Sequence, residues 1–146
     1  MDVTEAKPPP GWPGELLLEG RTTFRLPPLD SQKRRSLERG PGDKDERVVF
    51  YNPAMAASRT RSVLLLAHEM ESGWFCDDDG PVCALDGLAA SGLRSRRWLS
   101  ELPEKLAERL QVTAVDLDTE SISWAETNHE LIPPPHSVPA PSYSNS

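Results

Sequence analysis

The sequence predicts an α/β fold with an incomplete parallel sheet and an N-terminal β extension. Three observations lead there. A short apolar run, Val82 to Leu85, is followed by Asp86, then by small residues from Gly87 to Gly92, then by a helical pattern rich in arginine. A second run, Gln111 to Leu117, carries Asp116 near its carboxyl end and is followed by another helical pattern. Near the start, Glu15 to Leu26 reads as two short strands around Glu19-Gly20-Arg21, a hairpin or a strand with a bulge.

Composition sets the outer bounds. A chain of 146 residues can make one domain with a modest core. The apolar share of 37% is low and the 15 prolines are many, so part of the chain is expected to be irregular. A net charge of -7 argues against non-specific nucleic-acid binding by the whole surface, and DNA is not expected as a partner. It leaves room for a local basic face. The twelve arginines outnumber the four lysines, and guanidinium groups suit bidentate contacts to phosphate and carboxylate. Cys76 and Cys83 lack paired histidines and form no zinc motif; reduced thiols in a cytoplasmic protein are the expectation. The polar, proline-rich start is no signal peptide, and no apolar run approaches membrane-spanning length.

In chain order, residues 1–47 form an extension with short strands and a charged loop. That loop includes Lys33-Arg34-Arg35, read as a solvated surface rather than an RNA contact. Residues 48–132 hold the first half of the α/β domain. Val48 to Tyr51 is stopped by Asn52-Pro53, and the proline suits the first position of a helix from about Ala54 to Met70. Arg59, in an early turn of that helix, opposes the macrodipole and needs a partner, either solvent or an anionic ligand. Asp77-Asp78-Asp79 lack the alternate spacing of a calcium loop, so no metal is assigned. A helix from Gly92 runs through Leu99 to a break at Pro103, and EKLAERL adds a short one. Asp118 or Thr119 caps a last helix to Leu131. Residues 133–146, rich in proline and serine, are expected to be a disordered tail.

The stretch from Asp86 to Gly92 carries the chemistry. Small side chains let a ligand approach the backbone, and the first turn of the next helix offers free N–H groups. An acid at the end of the second strand matches two adjacent ribose hydroxyls with two acceptor oxygens. Asp86 and Asp116 together indicate a nucleoside-like ligand. No Ser or Cys triad accompanies His68, His129 or His136.

Four segments in order bring a resemblance into view: Glu19-Gly20-Arg21, VFYNPAMAASR from Val48 to Arg59, LDGLAASGLRSRR from Leu85 to Arg97, and AVDLDTESI from Ala114 to Ile122. With Asn128, they resemble the N-terminal part of the tRNA (guanine(26)-N(2))-dimethyltransferases over about residues 15 to 131. The resemblance implies a class I, Rossmann-like methyltransferase fold, with S-adenosyl-L-methionine as cofactor and tRNA as partner. It implies that Asp86 flanks the methionine part of the cofactor, Asp116 its ribose, and Arg59 and Arg94 its carboxylate. It also brings Phe50 near the transferred methyl, to stack on an extruded base, with core packing as the alternative.

Two departures shape the expectation. Ser58-Arg59-Thr60 stands where the family usually has Asn-Arg-Asp, which removes a contact that would support Arg59. No Asp-Pro-Phe-Gly-Ser-Pro-like segment, which in the family supplies the proton acceptor, occurs in the sequence. The expected protein is therefore a truncated tRNA guanine methyltransferase that grips the cofactor and lacks the general base. The alternative is a non-catalytic half-domain that binds S-adenosylmethionine or docks on a partner, or else an unstable fragment.

Overall fold

The computed structural model describes residues 7–28, 49–75 and 78–145. The Lys33-Arg34-Arg35 run, Val48, Cys76 and Asp77 lie outside the described residues. The fold is α/β: a three-stranded parallel sheet and an N-terminal antiparallel hairpin, joined by helices.

Strands β1 (Glu15–Glu19) and β2 (Thr22–Leu26) form the hairpin, with Glu19 paired to Thr22 across the two-residue loop Gly20-Arg21. Gly20 stands at φ 60, and a glycine at this first loop position lets the turn follow the strand twist. Strand alternation then decides which side chains enter the protein. Leu17 and Glu19 share the inner face with Thr22, Phe24 and Leu26, whereas Leu16 and Leu18 face outward and are exposed.

Val49 to Tyr51 forms no regular strand, although Val49 is fully buried. Asn52 caps a 3-10 turn, Pro53–Met55, its side chain accepting from the Ala54 amide at 2.9 Å. Helix α1 (Ala56–Glu71) follows directly. Strand β3 (Val82–Asp86) leads through the small-residue loop into α2 (Leu93–Glu101), and Pro103 separates that helix from the single turn α3 (Glu104–Ala107). Strand β4 (Leu110–Val115) pairs in parallel with β3. Helix α4 (Thr119–Leu131) starts at Asp118, whose carboxylate accepts from the Ser121 amide at 3.0 Å.

Helix α2 sits between two cores. Trp98, Leu99 and Leu102, at its C-terminal end, pack with Val63 and Met70 of α1 and with Val82, Leu110 and Val112 of the sheet. Leu93, at its start, joins Phe24, Leu26, Val49 and Trp124. Asn128 ties α4 to the hairpin: its amide donates to the Arg25 carbonyl at 2.9 Å and accepts from the Arg25 N–H at 2.6 Å. The asparagine thus completes the main-chain pairing of β2 as a neighbouring strand would.

The tail differs from expectation. Instead of leaving the fold disordered, the chain after Pro133 returns to the sheet, and β5 (Ser142–Ser144) pairs in parallel with Thr113 to Val115. Hydrophobic pattern plays little part in this short strand. Main-chain bonding, burial of Pro141 and packing of Val138 against the first core hold the segment, and composition alone does not reveal them. The sheet order is β3-β4-β5, which leaves one edge of β3 without a strand neighbour among the described residues.

Candidate functional site

The candidate site lies where β3 and β4 end. Asp86 closes β3 and is 6% exposed. Its Oδ2 accepts from the Ser95 hydroxyl at 2.8 Å, and it forms no ion pair among the described residues. Burial raises its carboxyl above the ordinary 3.8, against the hydrogen bond from Ser95 and the charge of Arg94; the charge of Asp116 adds to the rise.

Asp116 follows β4 and is half-buried. Its Oδ2 accepts from the Ala90 amide at 2.8 Å and its Oδ1 from the Asp118 amide at 3.0 Å. The loop after β3 is therefore fastened to the end of β4, a second bond running from the Ala89 amide to the Val115 carbonyl at 3.0 Å. This fastening holds Ala90 at φ 46, a left-handed conformation that costs a non-glycine residue about 1–2 kcal/mol. Gly92, at φ 71, needs its glycine for a second reason: an added Cβ would meet the Cβ of Ala125 at 2.9 Å.

A crevice beside this loop brings together four of the five residues singled out from the sequence. Phe50, Arg59, Asp86 and Arg94 line it, with Tyr51 and Met55 from the segment that leads into α1 and the loop residues Leu88 to Ser91. Asp116 lies just behind, joined through Ala90. Phe50 is 42% exposed, more than a fully core-packed ring would be. Arg94 is half-buried and reaches the Ser58 hydroxyl at 3.4 Å. Tyr51, Met55 and Leu88 were not singled out in the sequence. The first two lie inside the VFYNPAM segment, and their neighbourhood to Phe50 was the available signal.

Arg59 differs most from expectation. Its hydrogen-bonding partner is a buried carboxylate of the hairpin, Glu19. Nε donates to Glu19 Oε2 at 2.7 Å, and Nη2 donates to Glu19 Oε1 at 2.6 Å and to the Asn52 carbonyl at 3.0 Å. Nη1 makes no hydrogen bond among the described residues. Arg97 Nη1 also donates to Glu19 Oε2, at 3.1 Å, while the rest of that guanidinium pairs with Glu101. Glu101 in turn accepts from the Arg21 amide at 3.2 Å and the Thr22 hydroxyl at 3.1 Å. A Cβ on Gly20 would collide with Arg97 and Glu101, so the Glu-Gly-Arg turn is shaped by this network. Burial opposes ionisation of Glu19, but Arg59 and then Arg97 outweigh it and hold its carboxyl below the ordinary range. Between Ser58 and Thr60, Arg59 is thus held from the hairpin.

Of the three aspartates after α1, Asp78 accepts from the Gly80 amide at 2.9 Å, an ordinary turn contact. No cluster of metal-ligating side chains occurs among the described residues, and no described helix is long and apolar enough to cross a membrane.

Comparison with known proteins gives two findings. A family model described as "TRM: N2,N2-dimethylguanosine tRNA methyltransferase" matches residues 35–139. Among solved structures, the chain is similar to Trm1 from Pyrococcus horikoshii in complex with S-adenosyl-L-methionine, at 23% identity and a TM-score of 0.49. That similarity covers 80% of this chain and 23% of the other, so the chain spans about a quarter of that protein's length. No curated protein matches the chain.

Proposed function

Because the chain belongs to the N2,N2-dimethylguanosine tRNA methyltransferase family, we propose that its crevice is the cofactor-gripping part of a tRNA guanine-N2 methyltransferase that uses S-adenosylmethionine. One observation supports this most. Two strand-end acids, Asp86 and Asp116, flank a small-residue loop whose Ala90 amide is bonded to the second of them.

The residues fit the cofactor. Asp86 is a buried carboxylate without an ion pair, so a ligand ammonium would relieve its unfavourable ionisation. Each oxygen of Asp116 already accepts one amide, and a carboxylate oxygen has room for a second donor, as a ribose diol provides. Arg59 Nη1 and Arg94 would take the ligand carboxylate. Phe50 would stack on the guanine brought to the site. When bound, the cofactor supplies an electrophilic methyl group. The protein positions the two reactants, which removes most of the entropy cost of bringing them together. The guanine amine must also lose a proton, and this reading assigns no acceptor for it among the 146 residues.

A second reading, a half-domain that binds the cofactor or docks on a partner without turnover, is favoured by the edge of β3 that has no strand neighbour among the described residues. Beside that edge runs a groove lined by Leu66, Phe75, Pro81 and Val82. Titration calorimetry with S-adenosylmethionine, followed by transfer of labelled methyl to unmodified tRNA, separates the two. Saturable binding with turnover supports the enzyme, and binding without turnover supports the half-domain. Absence of binding overturns both cofactor readings.

A further inference from the structure

The geometry points to Glu19 as a positioning residue: from the hairpin, it fixes the Arg59 guanidinium so that Nη1 remains for a ligand carboxylate in the crevice. This rests on the cofactor reading above and adds a role for the hairpin, which lines no part of the crevice itself.

Alternation along β1 sends Leu17 and Glu19 inward, on the face of Phe24 and Leu26, while Leu16 and Leu18 go to the surface. Glu19 and Arg59 are 7% and 6% exposed. A carboxylate buried this deeply is tolerated when its charge and lone pairs are met, and two arginines from two helices meet them. The pairing with Arg59 is bidentate, which fixes the plane of the guanidinium as well as its place. Asn52, at the cap before the 3-10 turn, takes the second hydrogen of Nη2. With Nε and Nη2 committed, only Nη1 lacks a protein acceptor among the described residues, and Arg59 lines the crevice. An arginine held on one edge loses little further rotamer freedom when a carboxylate reaches the other. Arg97 bridges the same carboxylate to Glu101, so the cluster of two acids and two bases is neutral before any ligand arrives.

The test compares two ligands of the intact chain that differ in the amino-acid part. S-adenosylhomocysteine carries the carboxylate, and its decarboxylated analogue, 5′-(3-aminopropylthio)-5′-deoxyadenosine, keeps the ammonium and lacks only the carboxylate. Wild-type protein is expected to prefer the former by at least ten-fold. Glu19→Gln is expected to lose most of that preference while its affinity for the decarboxylated analogue stays within two-fold, and Arg59→Ala is expected to do the same. In the double variant, Glu19→Gln should change the preference no further. Glu19→Asp keeps the charge but withdraws the carboxylate by one methylene, and it should also lower the preference should Glu19→Gln fail to fold. A preference that survives in either folded Glu19 variant, or an equal fall for both ligands, overturns the positioning role. Unfolding of both variants overturns it too, since Glu19 would then serve the fold alone. A wild-type chain that binds neither compound overturns the cofactor reading, and the role of Glu19 falls with it.

Discussion

Glu19 and Asp86 are two buried carboxylates whose surroundings push them in opposite directions. Both are nearly inaccessible, at 7% and 6% exposure. Glu19 meets two guanidinium groups, which outweigh the cost of burial and hold its carboxyl below the ordinary range. Asp86 meets a hydroxyl and the more distant charge of Arg94, and burial prevails. The contrast separates a structural acid from a ligand-facing one. A buried charge neutralised by the protein belongs to the scaffold, whereas one left uncompensated at a crevice is where a cationic ligand gains most. Four expected outcomes break or sharpen this contrast.

The largest concerns the scaffold acid. Glu19→Ala leaves Arg59 and Arg97 buried with one carboxylate between them, that of Glu101. Removing one partner of a buried ion pair costs about 3–5 kcal/mol, and denaturant unfolding should show a loss of that order. A loss below about 1 kcal/mol would mean that water compensates the arginines, and the contrast would fail. Asp86→Asn should behave in the opposite way. The neutral amide removes an ionisation that folding disfavours, so the midpoint of thermal unfolding should hold or rise. Binding of S-adenosylmethionine should fall ten-fold or more, as loss of a charged hydrogen bond worth about 1.5–3 kcal/mol requires. A variant both destabilised and unchanged in binding would make Asp86 structural.

Acid pH gives a third outcome, and its sign follows from the two directions. Glu19 and Glu101 have lowered carboxyl pKa values, so their contribution is present above the ordinary 4.5 and is lost as pH falls through their folded values. Asp86 is raised, so its contribution is present below the ordinary 3.8 and is lost as pH rises through its folded value. Acidification therefore weakens the scaffold cluster while relieving Asp86. Unfolding midpoints measured from pH 7 to pH 4 should fall more steeply in Asp86→Asn than in wild type, because the variant lacks the relief. They should fall less steeply in Glu19→Gln.

The same contrast explains how much was legible in the sequence. Asp86, Asp116 and the loop between them stood out because strand ends and small-residue turns are local patterns. The helix boundaries at Asn52-Pro53 and Pro103, and the cap at Asp118, are local in the same way. The partner of Arg59 was not legible. Glu19 lies 40 residues away, and only the inward parity of β1 brings it there. Three consecutive leucines, Leu16 to Leu18, carry no alternation that marks the buried face, and Leu16 and Leu18 point outward. Nor was β5 legible, because a three-residue strand of serine and tyrosine is held by main-chain bonds that leave little trace in composition.

The smallest expected effect extends the comparison to a buried base. Arg96 is 3% exposed and, unlike Arg59, meets no carboxylate among the described residues. Nη2 donates to the carbonyls of Thr23 at 2.8 Å and Ile132 at 3.0 Å, while Nε and Nη1 are buried without a protein partner. Burial pushes its pKa down to about 10, so at neutral pH it remains charged at a cost that no counter-ion offsets. Arg96→Met would forfeit two carbonyl contacts of a charged group, each worth about 1.5–3 kcal/mol. It would recover the desolvation of the charge and two unpaired donors, and methionine follows the same path through the core with little strain. These opposing effects leave stability within about 1 kcal/mol of wild type, read by denaturant unfolding. A loss of 3 kcal/mol or more would show that two carbonyls anchor a buried guanidinium as firmly as a carboxylate does, and the distinction between Glu19 and Asp86 would then need another cause than charge.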